Sequence, residues 1–96
     1  MSLSALVLQK DDNVATAVRP LEAGGNIGVV VGRDTLNIRL LQSIPFGHKF
    51  ALRDISQGGR IIKYGETIGL ATVKIDMGEH VHIHNVEGLR GRGDRP

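Results

Sequence analysis

Glycine placement constrains this chain more than any other feature. Thirteen glycines in 96 residues interrupt short runs of Ile, Val, Leu and Thr, the pattern of strands joined by turns. One local arrangement recurs four times: an aliphatic residue, two variable residues, Gly, two variable residues, then a hydrophobic residue. The copies are Leu21-Glu22-Ala23-Gly24-Gly25-Asn26-Ile27, Ile44-Pro45-Phe46-Gly47-His48-Lys49-Phe50, Ile55-Ser56-Gln57-Gly58-Gly59-Arg60-Ile61 and Ile75-Asp76-Met77-Gly78-Glu79-His80-Val81. Each reads as the end of one strand, a turn with glycine at positive φ, and the start of the next strand. The spacing between copies is irregular, which excludes a solenoid. It points to one compact, barrel-like, mainly β fold with similar corners.

Strands are expected over residues 4–9, 27–31, 37–41, 49–52, 61–64, 68–73 and 80–85. Lys63-Tyr64-Gly65-Glu66 reads as a hairpin turn. One short helix is expected over residues 13–18, Asn13 through Val18, with Asp11 or Asp12 as its N-cap and Pro20 just beyond its end. The ordered domain is expected over residues 1–86. Residues 87–96 carry little core-forming content and read as a flexible C-terminal tail or a docking segment.

Several function classes fall away on composition. The chain has no cysteine, so disulfides, thiolate metal sites and cysteine nucleophiles are excluded. A metal would need imidazole, carboxylate, amide, backbone or water ligands. Three aromatic residues (Phe46, Phe50 and Tyr64) and a formal charge of +2, without a basic run, argue against nucleic-acid binding. No apolar stretch approaches the ~20 residues of a membrane span, and no secretion leader is evident. The cytoplasm is therefore the expected compartment. Arg92-Gly93-Asp94 spells an adhesion tripeptide, but three residues carry almost no information. Gly91 and Gly93 neither follow a strand nor open a helix, so a nucleotide fingerprint is not supported.

The chemistry concentrates in Gly78-Glu79-His80-Val81-His82-Ile83-His84-Asn85-Val86. On a strand, successive side chains point to opposite faces, which puts His80, His82 and His84 on one face. His82 and His84 would have Cα atoms about 6.5–7 Å apart, close enough to share an ion, whereas His80 to His84 would span about 13 Å on a straight strand. Strand geometry thus reduces the three histidines to a pair as a possible metal site, against the plainer reading of exposed histidines on an edge strand. His48, after the Gly47 turn, is a candidate acid or base. Lys49 and Arg53 could hold a carboxylate, although Lys49 also fits a solvent-facing strand position and Arg53 a local pair with Asp54. Glu66 fits a solvated turn carboxylate better than a base. Asn85 could contact a hydroxy acid, fix a histidine tautomer or end the strand.

Four segments carry a family resemblance. They are Asp12-Asn13-Val14-Ala15, the run from Ile44 to Ile55, the run from Ile62 to Gly69, and Gly78 to Asn85. Together and in this order they resemble the N-terminal SAF, or β-clip, domain of the altronate/galactarate dehydratase family, related in fold to antifreeze-like domains. His80 departs from the family pattern, whose matching part is His82-Ile83-His84-Asn85, so the resemblance implies His82 and His84 as the metal pair. The resemblance implies a lyase that performs β-elimination on a sugar acid or 2-hydroxy acid, releasing water or sulfite. It implies a divalent metal, iron or manganese, and a separate large catalytic subunit without which the chain is inactive. Such a stand-alone chain is similar to the alpha subunit of sulfolactate sulfo-lyase. A non-catalytic sugar-acid-binding or assembly module is the alternative, and homo-oligomerisation stays open.

Overall fold

The structure, a computed structural model, describes residues 3–88. Nine strands follow in chain order: β1 Ala5–Leu6, β2 Val14–Ala17, β3 Asn26–Val31, β4 Asp34–Arg39, β5 Lys49–Ala51, β6 Arg60–Lys63, β7 Glu66–Ala71, β8 His80–Val81 and β9 Val86–Gly88. They form a central four-stranded sheet in the order β1-β2-β5-β8, a β3–β4 hairpin and a three-stranded sheet in the order β6-β7-β9. Every pairing is antiparallel.

The four recurring segments fold into four copies of one corner. The central glycines Gly24, Gly47, Gly58 and Gly78 all have φ between 81° and 87°. Each glycine N–H donates across to another strand or its flank: to the carbonyls of Leu40, Ala17, Ala71 and Ala51 respectively, at 2.7–2.8 Å. The next residue donates back three positions: Gly25 to Glu22, His48 to Pro45, Gly59 to Ser56 and Glu79 to Asp76. The leading aliphatics pair across the molecule, Leu21 with Ile44 and Ile55 with Ile75. Backbone groups that a tight corner would otherwise strand are thereby satisfied.

The central sheet separates two cores. On β5 and the residue after it, alternation sends Phe50 and Leu52 into one cluster, with Leu21, Val29, Ile38, Leu40 and Ile44. Ala51 faces the other cluster, with Val14, Ile55, Ile61, Ile75 and Val81. The β3–β4 hairpin contributes to the first core, and β6 and β7 to the second.

No helix forms among the described residues. The expected helix over residues 13–18 is instead β2, an inner strand paired on both sides, by β1 and β5. The polar residues at the start of that expected helix, the cap candidate Asp12 and the first residue Asn13, serve long-range contacts. Asp12 Oδ1 accepts from the Gly65 N–H at 2.8 Å. Asn13 Oδ1 accepts from the Ile62 N–H, and its Nδ2 donates to the Arg60 carbonyl, both at 2.7 Å. These bonds clamp the β6–β7 hairpin, whose turn residues Tyr64 and Gly65 both lie at positive φ, the requirement of a two-residue type I′ turn.

The strand expected over residues 80–85 is also shorter. β8 ends at Val81, and residues 82–85 form a bend and turn. β9, which was not expected, then adds to the edge of β7 and takes in Glu87 and Gly88 from the segment read as tail; the rest of that segment lies outside the described residues. No helix of the described residues is long and apolar enough to cross a membrane.

Candidate functional site: a histidine cluster beside an apolar slot

His48 stands on the second corner, immediately before β5, and His80 opens β8. β5 and β8 pair with Phe50 opposite His80 and Lys49 opposite Val81, which brings the two corners together. The chain then turns instead of running on. The Asn85 N–H donates to the His82 carbonyl at 3.1 Å. Asn85 Oδ1 accepts from the His82 N–H at 3.0 Å, and Asn85 Nδ2 donates to the His80 carbonyl at 2.9 Å. The Gln42 side chain accepts from the His80 N–H at 2.9 Å. The loop that carries the histidines is thus fastened by polar groups of two residues, Asn85 and Gln42.

The turn folds the imidazoles onto each other. His48 Nδ1 and His80 Nε2 are 2.8 Å apart, a hydrogen bond in which one ring donates and the other accepts. The His48 and His82 rings stack at 3.9 Å between centroids, 15° from parallel. The His80 ring lies 5.5 Å from that of His82 and 5.2 Å from that of His84. One nitrogen from each of His48, His80 and His82 falls within 4.8 Å of the others, so these three could hold a metal ion. Burial, and then the neighbouring histidines, push the His80 pKa down. His82 is lowered too, by loss of solvent contact first, then by His48, Lys49 and His84. Both shifts favour the neutral imidazole, the form that binds metal.

Beside the cluster lies a slot of about 240 Å³ walled by Ile61, Ile68, Val81 and Val86, with His82 and Lys49 as its polar members. Lys49 is half-buried; desolvation, and then the charge of Lys63, lower its pKa. Lys63 itself sits 4.7 Å from the Tyr64 ring centroid.

The structure therefore gathers His48, His82 and Lys49 from among the residues singled out in the sequence. His84 lies against His80, outside the group of three. Arg53 is elsewhere: its guanidinium donates to the Asp11 carbonyl at 3.3 Å. Asn85 is buried, with both polar side-chain atoms on the histidine backbone. His80 and Lys63 were not assigned to the site from the sequence. The signal for His80 was present in the alternation, but a straight strand would have carried it away from its neighbours.

Residues 3–89 match the family described as the altronate/galactarate dehydratase SAF domain. The chain belongs to this family. It is 41% identical over 93 residues to the (2R)-sulfolactate sulfo-lyase subunit alpha of Chromohalobacter salexigens, covering 94% of this chain and 99% of that subunit. It is 46% identical over 74 residues to the altronate dehydratase of Escherichia coli, covering 77% of this chain but 14% of that enzyme. The galactarate dehydratase (L-threo-forming) of the same organism is 38% identical over 64 residues, which are 12% of its length. Relatives of this SAF domain thus include both a small subunit of similar size and enzymes several times longer.

Proposed function

We propose that this chain is the small subunit of a lyase that eliminates water or sulfite from a hydroxy acid, in partnership with a larger polypeptide. The observation that carries the reading is the convergence of His48, His80 and His82 in a member of this family. The near full-length match to a sulfo-lyase alpha subunit supports the subunit role. The small share of the altronate dehydratase that it matches supports a larger partner.

The donor set fits a divalent metal. Three imidazoles, two of them biased toward the neutral form, suit iron, manganese or zinc, and three protein ligands leave positions open, as catalytic sites do. The geometry favours His48, His80 and His82 as ligands over the pair His82 and His84. A cation bound there would stabilise negative charge developing on oxygen. Iron or manganese is the metal that the family resemblance implies.

The reaction requires loss of the proton on the carbon next to the carboxylate and departure of the substituent one carbon further on, as hydroxide or sulfite. Lys49, beside His82 in the slot, orients an acid group of the substrate. Asn85 holds the His80–His82 backbone and so fixes the approach of the rings. His84 lies at the edge of the cluster, with its ring against that of His80. The base that takes the carbon-bound proton comes from the partner.

The test is reconstitution with the large polypeptide. His82→Ala should lower kcat at least a hundredfold while the complex still assembles, and the chain alone should turn over none of altronate, galactarate or sulfolactate. A near-normal rate with weakened assembly would replace this reading with that of a non-catalytic module.

A further inference from the structure

His80 stands on the edge of the central sheet. β8 holds two residues, His80 and Val81, and pairs on one side, with β5. Phe50 lies opposite His80, and the Ala51 N–H donates to the Glu79 carbonyl at 3.0 Å. The bond toward β5 thus comes from the neighbour of His80. The alternation of an antiparallel ladder then turns the N–H and carbonyl of His80 itself outward. No further strand receives them among the described residues. Two side-chain amides take its place. Gln42 Oε1 accepts from the His80 N–H, and Asn85 Nδ2 donates to the His80 carbonyl, both at 2.9 Å. Together they supply the acceptor and the donor that a neighbouring strand would offer.

The two amides come from different parts of the fold. Asn85 is buried and belongs to the histidine turn itself, where its oxygen also takes the His82 N–H. Gln42 is exposed and lies on the chain that leaves β4. That chain runs against the fourth corner so closely that a Cβ on Gly78 would meet the Arg39 carbonyl oxygen. The Leu41 N–H donates to the Gly78 carbonyl at 3.0 Å, and Gln42 then reaches His80. Consecutive residues therefore hold the corner at two points, one by backbone and one by side chain. A hydrogen bond at an exposed place adds little to stability, because water replaces the lost partner. What it can set is position. The His80 ring has to meet His48 at 2.8 Å and sit 5.5 Å from the ring of His82, and a strand of two residues holds it there weakly.

We infer that Gln42 is a positioning residue of the histidine cluster: by holding the His80 N–H it keeps the His80 ring within reach of both His48 and His82. Its consequence for metal binding rests on the reading proposed above, whereas its geometry rests on the hydrogen bonds alone. Without the Gln42 oxygen, Asn85 still ties the His80 carbonyl, but the other side of the His80 backbone loses its hold. The cluster then falls back from three imidazoles to His48 and His82, whose rings stack on each other. Gln42 acts through an acceptor oxygen at a given reach, so a carboxylate of the same length replaces it and an aliphatic side chain does not.

The full chain carrying Gln42→Ala, Gln42→Leu or Gln42→Glu is compared with the wild type, with Ser43→Ala at the exposed neighbouring position as control. In the metal-free chain, amide hydrogen exchange and ring-to-ring nuclear Overhauser effects read the geometry. Titration calorimetry with Mn²⁺ reads the consequence. Gln42→Ala and Gln42→Leu should speed exchange of the His80 amide at least about tenfold and remove the His48–His80 ring contact. Mn²⁺ affinity should fall about tenfold, the effect of losing an outer partner of a metal ligand. Melting temperatures should drop by no more than about 4 °C, which separates a loss of position from a loss of folding. Gln42→Glu should restore the amide protection, the ring contact and most of the affinity, and Ser43→Ala should change none of them. An unchanged ring contact in Gln42→Ala, equal losses in Ser43→Ala, or affinity regained by Gln42→Glu without amide protection overturns the inference. If the wild type binds no Mn²⁺, alone or in the reconstituted complex, the metal reading falls and the ring contact alone decides the role of Gln42.

Discussion

Two of the four corners carry glycine after the left-handed residue, and two carry a side chain. At Gly58-Gly59 a Cβ on Gly59 would come within 2.8 Å of the Ser56 carbonyl oxygen, and at Gly24-Gly25 one on Gly25 would reach 3.2 Å from that of Glu22. The other two corners place His48 and Glu79 at the equivalent position, and all four keep the same turn bond, at 2.7–3.1 Å. One backbone solution therefore serves twice as closed scaffold and twice as a platform for polar groups. The two platforms are the ones that β5 and β8 bring together at the histidines. His48 and His80 are thus carried by repeated corners, and His82 is added by the turn that follows β8.

The sharpest challenge to that comparison is substitution of the left-handed glycines themselves. Gly47 and Gly78 have nearly the same φ, +83° and +87°, yet a Cβ on Gly47 meets nothing within 4 Å while one on Gly78 runs into the Arg39 carbonyl oxygen. Gly47→Ala should cost about 1–2 kcal/mol, the strain of an L-residue in that region. Gly78→Ala should cost at least about 4 kcal/mol, or prevent folding, because backbone must also move. Urea midpoints compare the two, and equal losses would show that the corners are not distinguished by their surroundings.

Asn85 comes next. Truncation to Ala removes two side-chain hydrogen bonds from a fully buried position and leaves backbone partners unsatisfied. About 2–4 kcal/mol of stability should be lost, and divalent-metal affinity should fall with it as the His80–His82 backbone loosens. Calorimetry of unfolding and of metal binding reads both. A stability loss with unchanged metal affinity would separate the loop from the site.

The histidines themselves give the third contrast. His82→Ala should weaken divalent-metal binding at least about a hundredfold, because loss of even an outer partner costs about 10–100-fold. His84→Ala, outside the group of three, should change it by less than about fivefold. Titration calorimetry decides, and the reverse order would restore the pair His82 and His84.

The smallest effect is on acid stability. The pKa values of His80 and His82 are lowered in the folded chain, so below the ordinary histidine value of about 6.5 the unfolded chain binds more protons. Their contribution is present above that value and is lost as pH falls through the lowered folded values. Metal-free protein should melt at a lower temperature near pH 5 than near pH 7.5, and a His80→Gln/His82→Gln variant should show a flatter profile.

Much of the scaffold is legible in the chain because it is local. The corners need glycine at a fixed place and an aliphatic residue three positions earlier, and both are visible in sequence. β2 was not legible, since Asp12 looks like a helix cap and Asn13 like the first residue of the helix until the β6–β7 hairpin they bind is known to be opposite them. The site was half legible. Alternation flagged the histidines of residues 80–84, and a glycine turn flagged His48. Their meeting depends on the β5–β8 pairing and on the turn closed by Asn85, and both are tertiary facts. The straight-strand estimate of about 13 Å between His80 and His84 gave way to rings 5.2 Å apart because the strand stops after two residues.

The most direct measurement is a crystal structure of the Mn²⁺-soaked protein, with anomalous scattering used to locate the ion. The account predicts one strong peak per chain, within about 2.0–2.3 Å of a nitrogen from each of His48, His80 and His82, with open positions facing the Lys49 slot. A peak held by His82 and His84 without His48, or no peak at the histidines at a concentration that loads the active complex, would contradict it.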